Sequence, residues 1–494
     1  MMHPRAIRFA ILAVFPLLGS LPASAQSGSS TAGPSTSSSG SSSSSSSGQS
    51  ATAALGQSSF SGSVPGQPVP GVLQLSLQDA IDRGLKQNLG LLLSSADIGY
   101  ARGERWQQLS ALLPHVNATP YVDVSQVNLA EFGFNLHIPG FTIPSVVGPF
   151  SYFDARANLT QSVFDWKAIN KERSAAQSLK SARYTYKDAR DLVVLAVGLQ
   201  YLQAIADAAR VETADAQVNT SQALFDQAND QVKAGTSPAI DATRAHVELQ
   251  TRQQQWIQAK NDFAIQKLTL SRVIGLAPGQ EFDLTDKSPY APFEGIGVDD
   301  ALKLAYSSRS DYQAALSDVR AAEYSREAAF AGYFPSLSFN GDYGAAGTHP
   351  ATNSHGVFDA RGTLTIPIFE GGSVHADVLQ ADARLEQTRE RLGNLRGQID
   401  ADVRTALLNL ESSAELVTVA QSNIDLAEQT LTQSRDRFRA GVTDTVEVVQ
   451  AQEQVASAHE QYISSLFNFN YAKISLARAM GIAEEGVKEY FKGK

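Results

Sequence analysis

Val403, Leu410, Val417, Ile424, Leu431 and Phe438 recur at strict seven-residue spacing, and no other feature constrains the chain as strongly. Ala406, Ser413, Ala420, Ala427 and Ser434 sit three positions after the first five. Large residues on one row and small ones on the other describe a long helix built for close packing along an unbroken heptad seam. The seam stops at Ala440-Gly441, and a second helical pattern begins at Thr445. The stretch Asp402–Ala451 therefore reads as a helix that turns back on itself at Gly441.

The same pattern occurs 206 residues earlier, at Val197, Ala204, Val211, Val218, Phe225 and Val232, with Gly235 in the place of Gly441. KAGTSPAIDATRAHVELQ lies over RAGVTDTVEVVQAQEQVA, and LSRVIG over LARAMG. The chain is a tandem duplication: a first repeat over 73–290 and a second over 291–482, with a short tail at 483–494.

Two segments precede the repeats. Arg5 and Arg8, the apolar run Phe9–Leu21 and the small residues Ala23-Ser24-Ala25 make 1–25 a signal peptide. Residues 26–72 are Ser/Gly/Pro-rich, with too little apolar surface to offset ordering entropy, and read as a disordered tether. Loss of the two arginines takes the net charge from −10 to about −12, which argues against nucleic acid as a partner. There is no cysteine, hence no disulfide and no cysteine-linked lipid at a new N-terminus.

Each repeat follows one order. A helix with Leu77, Ala80, Ile81 and Leu85 on one face is followed by a second from Leu91 to Leu113. Alternating stretches at Val116–Asn128 and Tyr152–Val163 predict strands, joined by the loop Leu129–Phe150. At Asp165 the period changes, predicting a helix over Trp166–Ala234, about 100 Å long at ~1.5 Å per residue. Its return runs from Pro238 to Ile274, and Pro278–Gly297 reads as a linker. The second repeat predicts strands at Ser336–Tyr343 and Phe358–Phe369, then helices over Ser373–Ala440 and Thr445–Gly481.

The strands are two-faced. Leu364, Ile366 and Ile368 alternate with Arg361, Thr363 and Thr365, and the first repeat offers Arg156, Asn158 and Thr160 on its polar side. The apolar side is either the core of a soluble sandwich or the lipid side of a membrane barrel. Strands of about ten residues suit a tilted crossing of a bilayer. Tyr333, Phe334, Phe164, Trp166 and Phe369 gather where strands meet helices, as in an interfacial girdle. Four strands cannot close a barrel, and an open edge cannot sit in lipid. Membrane strands here require several chains to share one barrel.

The duplicated plan, the junction FDARGTLTIPIFEGG over FDARANLTQSVFDWK, and the AG turns at Gly235 and Gly441 resemble the TolC family of outer-membrane efflux proteins. The resemblance covers about Leu73–Ile482. It implies a mainly α fold with a β-barrel portion: four membrane strands per chain, a trimeric 12-strand barrel, and a coiled-coil tunnel continuing into the periplasm of a Gram-negative cell. It implies a homotrimer in outer-membrane lipid that passes substrates from a periplasmic adaptor and inner-membrane pump. Gly235, Thr236, Gly441 and Val442 match the adaptor-contacting hairpin tips. Asp241 and Glu447 match acidic residues near the constriction, where a ring of carboxylates would favour cations. Thr443 and Gln450 stand where the best-known member has an arginine and an aspartate, so a gate held by that salt bridge is not expected.

No constellation supports catalysis, a cofactor or a metal. His246, His355, His375 and His459 lack metal-ligand spacing, and VIGLAPGQ lacks a phosphate-loop lysine. The competing reading is a periplasmic or surface coiled-coil scaffold or adhesin without a pore.

Overall fold

The computed structural model describes residues 60, 62–133, 144–286, 295–349 and 352–490. The signal peptide, the tether up to residue 59 and the last four residues lie outside them. Part of the stretch read as tether is held in place. The Val64 N–H donates to the Gln87 carbonyl and the Gly66 N–H to that of Gly275, both at 2.9 Å. Backbone hydrogen bonds hold this strap, which its apolar content alone would not order.

In chain order the first repeat comprises β1 (Leu73–Leu75), α1 (Leu77–Gln87), α2 (Leu89–Ser110), β2 (His115–Ala118), β3 (Tyr121–Asn128), β4 (Val146–Phe164), α3 (Trp166–Lys233), α4 (Ala239–Ile274) and β5 (Phe282–Leu284). The second comprises α5 (Val298–Ser308), α6 (Ser310–Phe330), β6 (Ser336–Gly347), β7 (Ser354–Thr365), α7 (Ser373–Arg439) and α8 (Thr445–Ala479). A further helix, α9 (Ala483–Tyr490), occupies the stretch read as a tail.

The long helices follow the periodicity closely. Asp165 caps α3, its carboxylate accepting the Ala168 N–H at 3.0 Å. All six large seam residues of α7 are buried, with Ala406, Ser413, Ala420 and Ser434 beside them. The seam transferred to α3 does not hold throughout. Val211, Val218, Phe225 and Val232 are only half-buried, and Ser221, Leu224 and Ala228 are buried instead. The reason is that α3 packs against α2, α4, α6 and α8, whereas α7 packs mainly on α6 and α8.

Several strand expectations change: β4 starts at Val146, within the stretch read as a loop, β6 runs on to Gly347 and β7 starts at Ser354. Val116–Asn128 is two strands, because Pro120 has no N–H to give the ladder. The last strand stops at Thr365, before Pro367. Within the linker, β5 pairs in parallel with β1, Leu73 opposite Phe282. Tyr201, fully buried on α3, donates its hydroxyl to the Leu75 carbonyl at 2.9 Å and ties this small sheet to the bundle.

The large sheet is antiparallel throughout. β2 and β3 pair in succession with one side of β4, β4 pairs with β6, and β6 with β7. The helices repeat that order, since α2 packs on α3, α3 on α6 and α6 on α7. Each large-sheet strand segment joins one of these helices, so one order serves both layers. The returning helices α4 and α8 back α3 and α7, and α1, β1, β5, α5 and α9 cluster midway along the bundle. Gly198 allows α3 and α8 to meet, for a Cβ there would lie 2.8 Å from Ile474.

Candidate functional site: a two-faced sheet and two hairpin tips

Register places the polar side chains of the sheet together. Asn158 lies opposite Asp342, Thr160 opposite Asn340, and Asn340 opposite Arg361. Thr363 and Thr365 follow Arg361 on the same face at alternate positions, as Arg156 precedes Asn158. The six polar residues picked from the sequence therefore share one face. Arg156 is its centre: the guanidinium meets the buried Asp154 carboxylate and lies 3.0 Å from Asp342 on the neighbouring strand.

The opposite face carries Val116, Leu159, Tyr343, Phe358 and Leu364, placed cross-strand by the same register. Val116 is 71%, Tyr343 73% and Phe358 79% exposed. A soluble sandwich would cover these side chains, so that alternative fails. Of the junction aromatics, Phe164, Tyr333, Phe334 and Phe369 are exposed as well, whereas Trp166 is half-buried beneath the Arg173 guanidinium at 5.3 Å.

At the other end of the long helices the two tips have identical backbone closure. The Thr236 N–H donates to Gln231 and that of Gly235 to Val232, both at 3.0 Å. In the second repeat Val442 donates to Arg437 at 3.0 Å and Gly441 to Phe438 at 3.1 Å. This paired bonding needs a left-handed residue, and φ is +74° at Gly235 and +68° at Gly441. Gly235, Thr236, Gly441 and Val442 are all exposed.

The acidic pair sits just inside these turns. Asp241 is buried; the Ser237 hydroxyl donates to it at 2.7 Å and Arg244 lies 3.6 Å away. Glu447 is half-buried; it accepts from the Thr443 hydroxyl and from Ser434 at 3.4 Å, with Arg437 at 3.5 Å. The two clusters exchange their arginines. Position 231 is Gln where 437 is Arg, and position 244 is Arg where 450 is Gln. Gln450 itself is exposed. Each tip thus carries a carboxylate, a hydroxyl four residues earlier and one arginine.

Sequence reasoning missed the ties between the two hairpins. Arg252 on α4 is 2% exposed and lies 2.6 Å from Glu248 on its own helix and 2.7 Å from Glu453 on α8. Arg210 on α3 meets Glu460 on α8 at 2.8 Å. Burial pushes the Glu460 carboxyl up, but the Arg210 guanidinium outweighs it and holds the group below its ordinary range. The partners that cross between the hairpins, Arg252–Glu453 and Arg210–Glu460, are more than 200 positions apart in sequence.

Comparison with known proteins adds the decisive observation. The model of the outer membrane efflux protein family matches residues 80–276 and 301–482, one match per repeat. The chain belongs to this family. Its members are outer-membrane channels, not enzymes, and the chain is accordingly an outer-membrane protein. The outer membrane protein TolC of Escherichia coli is 23% identical over 354 residues, covering 67% of this chain and 70% of TolC. The alkaline protease secretion protein AprF of Pseudomonas aeruginosa is 23% identical over 342 residues, covering 66% of this chain and 69% of AprF. The crystal structure of VceC from Vibrio cholerae superposes with a TM-score of 0.70 at 17% identity, covering 82% of this chain and 96% of VceC.

Proposed function

We propose that the protein is the passive, trimeric outer-membrane exit duct of a tripartite efflux or type I secretion system. The observation that carries this reading is the sheet, which exposes an apolar face and, among the described residues, leaves both edges, β2/β3 and β7, without a partner. Unpaired edges are untenable in hydrocarbon, where no water replaces the missing hydrogen bonds. Three copies adding edge to edge make the twelve-strand barrel, with the apolar face in lipid and Arg156, Asn158, Thr160, Arg361, Thr363 and Thr365 lining the lumen. The α-helices carry the same closure into the periplasm.

On this reading the tips form the constriction and the docking site for a periplasmic adaptor bound to an inner-membrane pump. Gly235, Thr236, Gly441 and Val442 are the exposed contact points. Asp241 and Glu447, with Thr443 and Gln450 beside the latter, hold the constriction in shape.

Purified protein in a planar lipid bilayer tests the duct. It is expected to pass current and to run as a trimer in mild detergent. A monomer without conductance would falsify the assignment. A pore-free scaffold predicts extraction without detergent, which the exposed apolar sheet face argues against.

A further inference from the structure

Just beneath the sheet, α3, α6 and α7 enclose a groove of about 1050 Å³. Small residues of α6, among them Ala321 and Ala328, make its floor, and its walls carry Lys167, Lys171, Arg384 and Arg391 with Asp318 and Asp377. Lys167 lies 3.8 Å from Asp377, spanning the groove from α3 to α7. Lys171, Arg384 and Arg391 form no ion pair with any described residue. The balance is four cations against two carboxylates in every chain.

The direction in which the groove opens follows from helix phase. Asp382, Arg389 and Arg396 recur every seven residues on α7. They meet Arg326, Glu323 at 2.9 Å and the Tyr312 hydroxyl at 3.1 Å on α6. Tyr312 contacts the Tyr306 ring of α5 at 5.6 Å, so this series marks the side on which α5 packs. Asp377, Arg384 and Arg391 recur at the same spacing five residues earlier, about 140° around the helix at ~100° per residue. Helix α5 occupies the first side. In a closed tunnel an added helix would obstruct the lumen, so this side is the outside and the groove, on the other side of α7, faces inward.

Resting on the duct reading, we infer that this groove is an anion-binding station in the upper tunnel, one per subunit, which takes carboxylate- or phosphate-bearing cargo on its way into the barrel. Three such grooves around one lumen concentrate positive potential where low-dielectric walls focus it. The tips do not compete for the same charge, because Asp241 and Glu447 each have a hydroxyl and an arginine of their own chain.

The test uses the assembled full-length protein in a planar bilayer, with inorganic tripolyphosphate added on the barrel side as an open-channel blocker. Wild-type current is expected to be blocked. The triple variant Lys171→Gln, Arg384→Gln, Arg391→Gln is expected to need at least about tenfold more blocker. Asp377→Asn removes a carboxylate and is expected to need less, and it decides the matter should the triple variant fail to assemble. Lys180→Gln with Lys187→Gln, exposed residues of α3 outside the groove, should leave block unchanged. Equal block of wild type and triple variant, an unchanged Asp377→Asn, or an equal loss in the Lys180/Lys187 control overturns the inference while leaving the duct intact. A wild type that carries no current overturns both.

Discussion

Replacing Asp191 by Asn should stabilise the protein at neutral pH. Asp191 lies on α3 and is 7% exposed. Burial pushes its carboxyl up to about 6 from 3.8, opposed by the Arg478 guanidinium and reinforced by the Asp188 carboxylate. Arg478 is already engaged by Asp188 at 2.6 Å, so Asp191 has only a share of that cation. Above pH 6 the native group is ionised and buried while the unfolded one is ionised in water, and the penalty is complete. Below 3.8 both are protonated and it vanishes. Stability contributed here is therefore fully present in acid and lost as pH rises from about 4 to about 6. A carboxyl held near 6 instead of 3.8 costs about 3 kcal/mol per chain at neutral pH. The amide keeps the shape and still accepts the Glu484 N–H that Asp191 now accepts. The assay is the helical melting midpoint in detergent from pH 3.5 to 8. The Asp191→Asn variant should melt higher at pH 7.5, by on the order of 5 °C, and the gap should close near pH 4. A variant that melts lower at pH 7.5, or a gap that widens in acid, would refute the reasoning.

Two further predictions concern the tips. Gly235→Ala and Gly441→Ala meet no atom within 4 Å, so each should cost only the left-handed backbone penalty, about 1–2 kcal/mol, read as faster amide hydrogen exchange confined to that tip. Asp241→Ala with Glu447→Ala removes the two carboxylates proposed above to hold the constriction in shape. It should raise the conductance of the resting channel and leave the reversal potential in a salt gradient nearly unchanged. A large fall in cation preference would show that these carboxylates act as a free charged ring instead.

How much was legible depends on whether the signal was local or repeated. The hairpin plan was visible because Gly235 and Gly441 occupy one offset and each closes a turn only glycine fits readily. The faces of the sheet were visible because alternation is local, and register then aligned Asn158, Thr160 and Arg361 as alternation required. The seam of α3 was misplaced at Val211, Val218 and Phe225 because duplication copies sequence, not neighbours. The β1–β5 pair was invisible: three residues are too few for alternation, and its partner lies 209 positions away. A comparable separation hid Arg252–Glu453, since a charged residue on a heptad face looks solvated until another helix covers it.

The shared order of strands and helices also limits how copies associate. β7 runs into α7, and α2 runs into β2 and β3, so the two outer strand positions of the sheet belong to the two outer helices of the row. A copy that pairs its β2/β3 edge with β7 of a neighbour must bring its α2 beside the neighbour's α7. Both helices carry exposed apolar side chains, Leu92, Leu93, Tyr100 and Trp106 on α2, and Leu379, Leu408, Leu416 and Leu426 on α7. One association therefore covers both the unpaired backbone edges and the apolar helix flanks, whereas a partner that meets only the sheet leaves the helices bare. In the proposed trimer, that coupling is what lets a barrel of few strands per chain and a tunnel of long helices arise from one duplicated unit.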